Sequence, residues 1–438
     1  MPNKKINLVA ADMGYGHQRP AYALRDLSAG EVLTINNYEG ISEWEKEYWR
    51  KSLESYEKIS RLKKIPVFGK AVFAVMDAFQ KIAPLYPYRD LSDPTSQQKY
   101  FYRWVKKGLG SGLIKRLNAA NKTLPLVTTF FVAAYIAEYH DYQGEIYCVI
   151  CDTDASRAWA PLNPKESRIK FLVPSAKVKE RFTMYGVREE NIFITGFPLP
   201  KENIGREKEI LKADLARRVV ELDPEENYRQ HYQSLLDNVA SGKIKNVLPP
   251  LVITYAVGGA GAQKEIGVTI MKKLAPEIRA GRMRINLVAG SRPEVRDYFE
   301  DAVRLARVPR LKPSQSGAGA AIIFAPDKMD YFREFNACLH DTDILWTKPS
   351  ELSFYCALGL AIIMAPPVGS QEDFNRAWLL SVGAGLDSEP PEYVDEWLPK
   401  LISSGRLARA AMDGFFNAEQ MGAYNIEALI KGQEPQAD

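Results

Sequence analysis

The chain has 438 residues, of which 46% are hydrophobic and 26% charged, with a formal net charge of +4. At about 100–200 residues per domain this length implies two or three domains, and the composition is that of a globular protein rather than a disordered or fibrous one. The mild positive charge permits contact with phosphates or an anionic membrane surface without requiring nucleic acid, for which no recognition motif is found.

Cys148, Cys151, Cys338 and Cys356 sit in apolar runs without the paired spacing of a zinc site, and read as reduced core residues of a cytoplasmic protein. No metal site and no cofactor is expected. The first residues enter a strand pattern without the charged, apolar and small-residue succession of a signal peptide. The longest apolar run, Leu124 to Ala137, is too short and too polar for a bilayer span of about 20 residues, so any membrane contact is expected to be peripheral, at the inner face.

In chain order, apolar and β-branched runs predict strands at 6–11, 31–36, 125–130, 146–151, 169–173 and 191–195, alternating with helical segments as in a parallel sheet covered on both faces. Between the second and third strands, an insertion near 38–120 predicts the helices of a lid or docking region. Its run Tyr100-Phe101-Tyr102-Arg103-Trp104-Val105-Lys106-Lys107 suits a membrane headgroup boundary, and equally a packed edge with solvated lysines. Pro198-Leu199-Pro200 closes an N-terminal domain, 1–200. Residues 201–247 are polar, with helices predicted at 207–222 and 228–239, and read as an inter-domain joint. Further strands at 250–255, 285–289, 321–325, 343–346 and 361–364 belong to a second domain, 248–414, followed by a tail, 415–438, expected to return to the first. The fold class is α/β, two Rossmann-like domains facing across a cleft, with ligands at strand carboxyl ends.

Chemistry concentrates after particular strands. Gly14-Tyr15-Gly16-His17 follows the first: Gly14 and Gly16 let the backbone turn and expose N–H groups to an anion at a helix N-terminus, and His17 can handle a proton, or serve only as a cap. Val257-Gly258-Gly259-Ala260-Gly261-Ala262-Gln263 follows 250–255, and its small residues let a diphosphate approach the amides; the alternative is a tight structural turn. After 343–346 come Lys348-Pro349-Ser350-Glu351 and a helix reaching Gly359. After 361–364 comes a polar loop, Gly369-Ser370-Gln371-Glu372-Asp373-Phe374-Asn375, whose amides and carboxylates suit sugar hydroxyls or cap a helix.

The order of these segments resembles the GT-B glycosyltransferases of the monogalactosyldiacylglycerol synthase and peptidoglycan N-acetylglucosaminyltransferase family. The similar elements are Gly14 to His17, Thr153-Asp154 with Trp159, Pro174-Ser175, Gly186-Val187, Thr195-Gly196-Phe197-Pro198, Gly258-Gly259-Ala260-Gly261, Asp343 to Lys348, Gly359-Leu360-Ala361, and Gln371 to Asn375. They cover roughly 5–35, 125–200 and 250–385. The resemblance implies a metal-independent hexosyltransferase, inverting at the sugar, that takes its donor from a nucleotide-diphosphate sugar, a UDP-sugar foremost, and passes it to an unidentified acceptor for which a lipid is one class. It implies His17 as catalytic base, Gly258, Gly259, Gly261 and Gln263 around the diphosphate, and Gln371, Glu372 and Asn375 toward the sugar. Where the family carries a ribose-binding glutamate this chain has Phe354, leaving Glu351 as the substitute carboxylate or the nucleotide bound differently. A non-catalytic sugar-nucleotide-binding protein and a sugar-nucleotide epimerase are the alternatives on the same fold.

Overall fold

The computed structural model describes residues 5–62, 82–121, 123–239, 250–258, 261–367 and 369–434. The chain divides into two compact units, one of Met1–Leu199, Gly369–Phe374 and Met421–Asp438, the other of Pro200–Val368 and Asn375–Gln420.

In the first unit, strands β1 (Asn7–Ala10), β2 (Leu33–Thr34), β3 (Leu126–Thr128), β4 (Ile146–Val149), β5 (Lys170–Val173) and β6 (Ile192–Ile194) form a parallel sheet in the order β2-β1-β3-β4-β5-β6. All four residues of β4, Ile-Tyr-Cys-Val, are buried, as expected where helices cover both faces of a sheet. The described helices between these strands are α1 (Tyr15–Ala23), α2 (Glu43–Leu62), α3 (Ser96–Lys106), α4 (Ser111–Ala120), α5 (Phe131–Tyr139) and α6 (Ala176–Met184). Within the insertion, residues 63–81 lie outside the described residues. The buried Glu45 on α2 accepts from Tyr38 Oη at 3.0 Å and from the N–H of Gly110, the residue preceding α4, at 2.6 Å. A carboxylate at that helix start satisfies an orphan donor and complements the dipole.

The second unit opens with α7 (Glu209–Glu221) and α8 (Arg229–Val239). Leu211, Leu215 and Val219 of α7 are buried, and its Arg218 guanidinium donates to the carbonyls of Leu339, Thr342 and Leu358, each at 2.6 Å. Complete burial pulls the Arg218 pKa down to about 10, while the three carbonyls occupy its donors. Residues 240–247 of the expected joint lie outside the described residues.

Its sheet comprises β7 (Leu251–Ala256), β8 (Met283–Gly290), β9 (Arg310–Leu311), β10 (Gly319–Phe324), β11 (Ile344–Thr347), β12 (Ala361–Met364) and β13 (Gly385–Asp387), all parallel in the order β13-β12-β11-β7-β8-β10-β9. The short edge strands β9 and β13 were not predicted. The helices are α9 (Lys264–Arg279), α10 (Pro293–Leu305), α11 (Lys328–Leu339), α12 (Ser370–Val382) from Asn375 onward, α13 (Val394–Ser403) and α14 (Arg406–Asn417); Ser370–Phe374 of α12 and all of α15 (Gly422–Ile430) belong to the first unit. The helix expected to reach Gly359 is present over 351–358 as a 3₁₀ helix, and one expectation is corrected: 370–375 start α12 rather than a loop, with Glu372 and Asp373 in a first turn that favours carboxylates.

Each sheet reverses its winding once. In the first, the chain runs from β1 to β2 on one side and returns to β3 on the other; in the second, β8 to β10 lie on one side of β7 and β11 to β13 on the other. Loops diverge at such a reversal and leave a crevice at the strand carboxyl ends.

Candidate functional sites

At the first unit's reversal, Val9 of β1 pairs with Thr128 of β3, so the loops after these strands emerge together. Gly14 precedes α1 with φ of 101°, and a Cβ there would meet nothing within 4 Å. The glycine is required by backbone conformation, not by space. Three residues later, His17 Nδ1 lies 2.7 Å from the carbonyl of Thr129, and Thr129 Oγ1 donates to the His17 carbonyl at 2.6 Å. The half-buried imidazole lies 4.9 Å from the Phe130 ring and 6.0 Å from that of Trp159. A carbonyl only accepts, so Nδ1 carries a proton; in a neutral ring the lone pair then lies on Nε2, the arrangement a general base requires. Gly16 lies in the same first turn of α1.

The Asp154 of the Thr-Asp pair is a structural anion. It is fully buried and bound by Arg181 through two bonds of 2.9 and 3.0 Å, with Lys177 at 3.4 Å. Its carbonyl accepts from Gln371 Nε2 at 3.0 Å. Gln371 and Glu372 thus group with the first unit, and Asn375, 2% exposed, with the second.

At the second unit's reversal, Ala256 of β7 pairs with Thr347 of β11. The residues that follow, Val257-Gly258 and Lys348, are therefore brought side by side. A Cβ on Gly258 would lie 2.5 Å from Lys348 Cε and 3.3 Å from its Nζ. The Gly261 N–H donates back to the Gly258 carbonyl at 2.7 Å, and Gly261 has φ of 70°. Gly259 lies outside the described residues. Gln263 precedes α9 in the left-handed region, φ 65°, a conformation costing a non-glycine residue about 1–3 kcal/mol. Two bonds hold it there: Tyr255 Oη donates to its carbonyl at 2.6 Å, and its Nε2 donates to the Pro366 carbonyl at 2.8 Å. That amide anchors the loop after β12.

The opposite end of β11 is held by Asp343, which accepts from the Val252 N–H at 2.8 Å and from Arg217 at 2.5 Å. Burial pushes the Asp343 carboxyl up, against the opposing pull of Arg217. The Asp343-to-Lys348 motif thus spans one strand, with its anion at the structural end and its cation at the crevice. Lys348 is the residue that sequence reasoning passed over as a site; its signal is a lysine immediately after a strand that neighbours the glycine turn.

Glu351 is half-buried at the start of the 3₁₀ helix, whose preceding Ser350 Oγ accepts from the Leu352 N–H at 3.4 Å. Phe354 is 5% exposed and packs against Trp378 with ring centroids 5.1 Å apart. In the aromatic-basic run of α3, Tyr100 is 57% exposed, whereas Trp104 packs 5.3 Å from Tyr48 and carries Lys107 Nζ 4.7 Å over its ring. Among the described residues no helix is long and apolar enough to cross a membrane, and no group of three or more His, Cys, Asp or Glu is placed to hold a metal ion.

Residues 242–426 match a family described as a domain of unknown function (DUF6938). No curated protein matches the chain. Among solved structures, the chain is similar to S. aureus MnaA in a co-structure with UDP, at 12% identity and a TM-score of 0.48 over 100% of both chains. It is also similar to Acinetobacter baumannii MurG, at 12% identity and 0.45 over 98% of this chain and 100% of that one, and to the glycosyltransferase SnogD from Streptomyces nogalater, at 14% identity and 0.42 over 98% and 99%.

Proposed function

We propose that the protein transfers a hexosyl group from a nucleoside-diphosphate sugar, a UDP-sugar foremost, to an acceptor hydroxyl. The observation that carries this reading is Lys348 laid over Gly258 where the second sheet reverses, ahead of a 16-residue helix. A lysine ammonium, a bare backbone turn and a helix N-terminus are three complementary ways to hold a diphosphate.

In this reading, His17 Nε2 takes the proton of the acceptor hydroxyl as its oxygen bonds to the sugar's anomeric carbon. The bond from that carbon to the diphosphate breaks, and the nucleoside diphosphate leaves with the electron pair. Lys348 and the amides around Gly258 receive the developing charge, the role in which preorganised donors contribute most. Glu351, three residues after Lys348, is the carboxylate assigned to the ribose.

One feature favours a second reading. Phe354 is committed to packing against Trp378, so a protein that binds the nucleotide without transferring sugar fits the same geometry. Calorimetry with UDP, UMP and uridine tests the diphosphate site: binding that requires the diphosphate and falls on Lys348→Met supports both readings. Release of UDP from a panel of UDP-sugars, with hydroxyl acceptors present, then separates transfer from binding alone.

A further inference from the structure

We infer that Thr129 is the positioning residue for His17, setting both the nitrogen that holds the lone pair and the direction in which it points. The inference rests on the reading of His17 as the base.

The two residues are joined twice, in opposite senses. The Thr129 carbonyl takes the Nδ1 proton at 2.7 Å, and the Thr129 hydroxyl donates to the His17 carbonyl at 2.6 Å. The first bond selects the tautomer. The second holds the first turn of α1, from which the imidazole projects, so a shift of that turn would carry the ring off the carbonyl. Neither bond alone fixes both position and protonation.

Thr129 is suited to this by its own anchoring. It is 0% exposed, directly follows β3, and its N–H donates to the Val9 carbonyl of β1 at 3.3 Å. Cys151, at 3% exposure, places its thiol 3.4 Å from the same Thr129 carbonyl and 3.5 Å from that of Val149. The bond to β1 thus ties the residue that carries the acceptor to the sheet. Any residue supplies the carbonyl; only Ser or Thr supplies the hydroxyl as well, and the β-branch of Thr restricts its rotamer.

The experiment is ¹⁵N–¹H NMR of the histidine ring nitrogens in the full chain above pH ~8, where an ordinary imidazole is neutral. The His17 signal is assigned among the four histidines by its loss in His17→Gln. The wild-type ring is expected to show a proton on Nδ1 alone. Thr129→Val should give a mixture of tautomers, and Thr129→Ser should restore the single form. With an identified donor and acceptor, Thr129→Val should lower kcat by about tenfold to a hundredfold, with the donor KM changed less than about twofold, since small misplacements act on the reacting geometry. A wild-type His17 protonated on Nε2 overturns the inference, even if Thr129→Val fails to fold. So does a folded Thr129→Val variant with the wild-type tautomer and kcat. If no UDP-sugar is turned over, the functional reading fails while the tautomer measurement still decides the role of Thr129.

Discussion

Lys348 crosses Gly258 so closely that the smallest side chain at position 258 would stand 2.5 Å from the lysine Cε. The pressure would fall on the far end of a flexible chain, so Gly258→Ala should swing the ammonium aside without disrupting β7. Losing a charge-assisted hydrogen bond costs about 1.5–3 kcal/mol, or about tenfold to a hundredfold in affinity. Calorimetry with UDP should register that loss at a melting temperature within a few degrees of wild type. Unchanged affinity would remove the turn from the diphosphate site.

His17→Ala is expected to lower turnover by about 10²–10⁴-fold, the range for loss of a general base. His17→Gln, which keeps a polar side chain of similar reach beside Phe130 and Trp159, should be as slow while melting close to wild type. Near-native turnover in either variant would take His17 out of the mechanism. Collapse of both would make it a structural cap of α1.

Glu351→Ala and Phe354→Ala should separate binding from packing. The first is expected to weaken UDP about tenfold to a hundredfold through lost hydrogen bonds to the ribose, with little effect on melting. The second removes a buried ring from Trp378 and should cost about 3–5 kcal/mol of stability. Equal affinities of Glu351→Ala for UDP and 2′-deoxy-UDP, against unequal ones in wild type, would locate the carboxylate at the ribose. A silent Glu351 would return that position to the surface.

Glu221, at the end of α7, predicts a pH dependence of stability. Burial, reinforced by the charge of Asp343, raises its pKa from the ordinary 4.5 to about 7. The folded state therefore holds this proton more tightly than the unfolded state, and ionisation works against folding. The penalty is fully present above pH ~7 and is relieved as pH falls toward 4.5. Glu221→Gln should accordingly be more stable than wild type at pH 8 and nearly equal to it near pH 4.5, as read by urea unfolding. A constant difference across that window would contradict the assignment.

The longer strands were legible because buried parallel strands are continuous apolar runs, as in Ile-Tyr-Cys-Val of β4 and the fully buried β7. The two-residue β9 and three-residue β13 were not, because such short edge segments carry too little pattern to stand out. The glycine turns were read as turns from composition alone. Lys348 could not be joined to Gly258 in the same way, since their contact is created by the register between β7 and β11, which pairs Ala256 with Thr347, 91 positions away. Asp154 illustrates the converse: its place in a motif is visible in the sequence, and only the fold discloses that Arg181 binds it through two hydrogen bonds.

The first unit contains residues from the last stretch of the chain. Asn425 of α15 donates to the carbonyl of Thr195, just after β6, at 3.1 Å. That carbonyl waits for its partner through 230 residues of further synthesis. A ribosome emitting the protein completes the second unit's sheet before it delivers the helix that finishes the first. A nascent chain arrested after residue 420 should therefore hold a closed second unit and an open edge on the first, and limited proteolysis of such arrested chains should cut the earlier-made half.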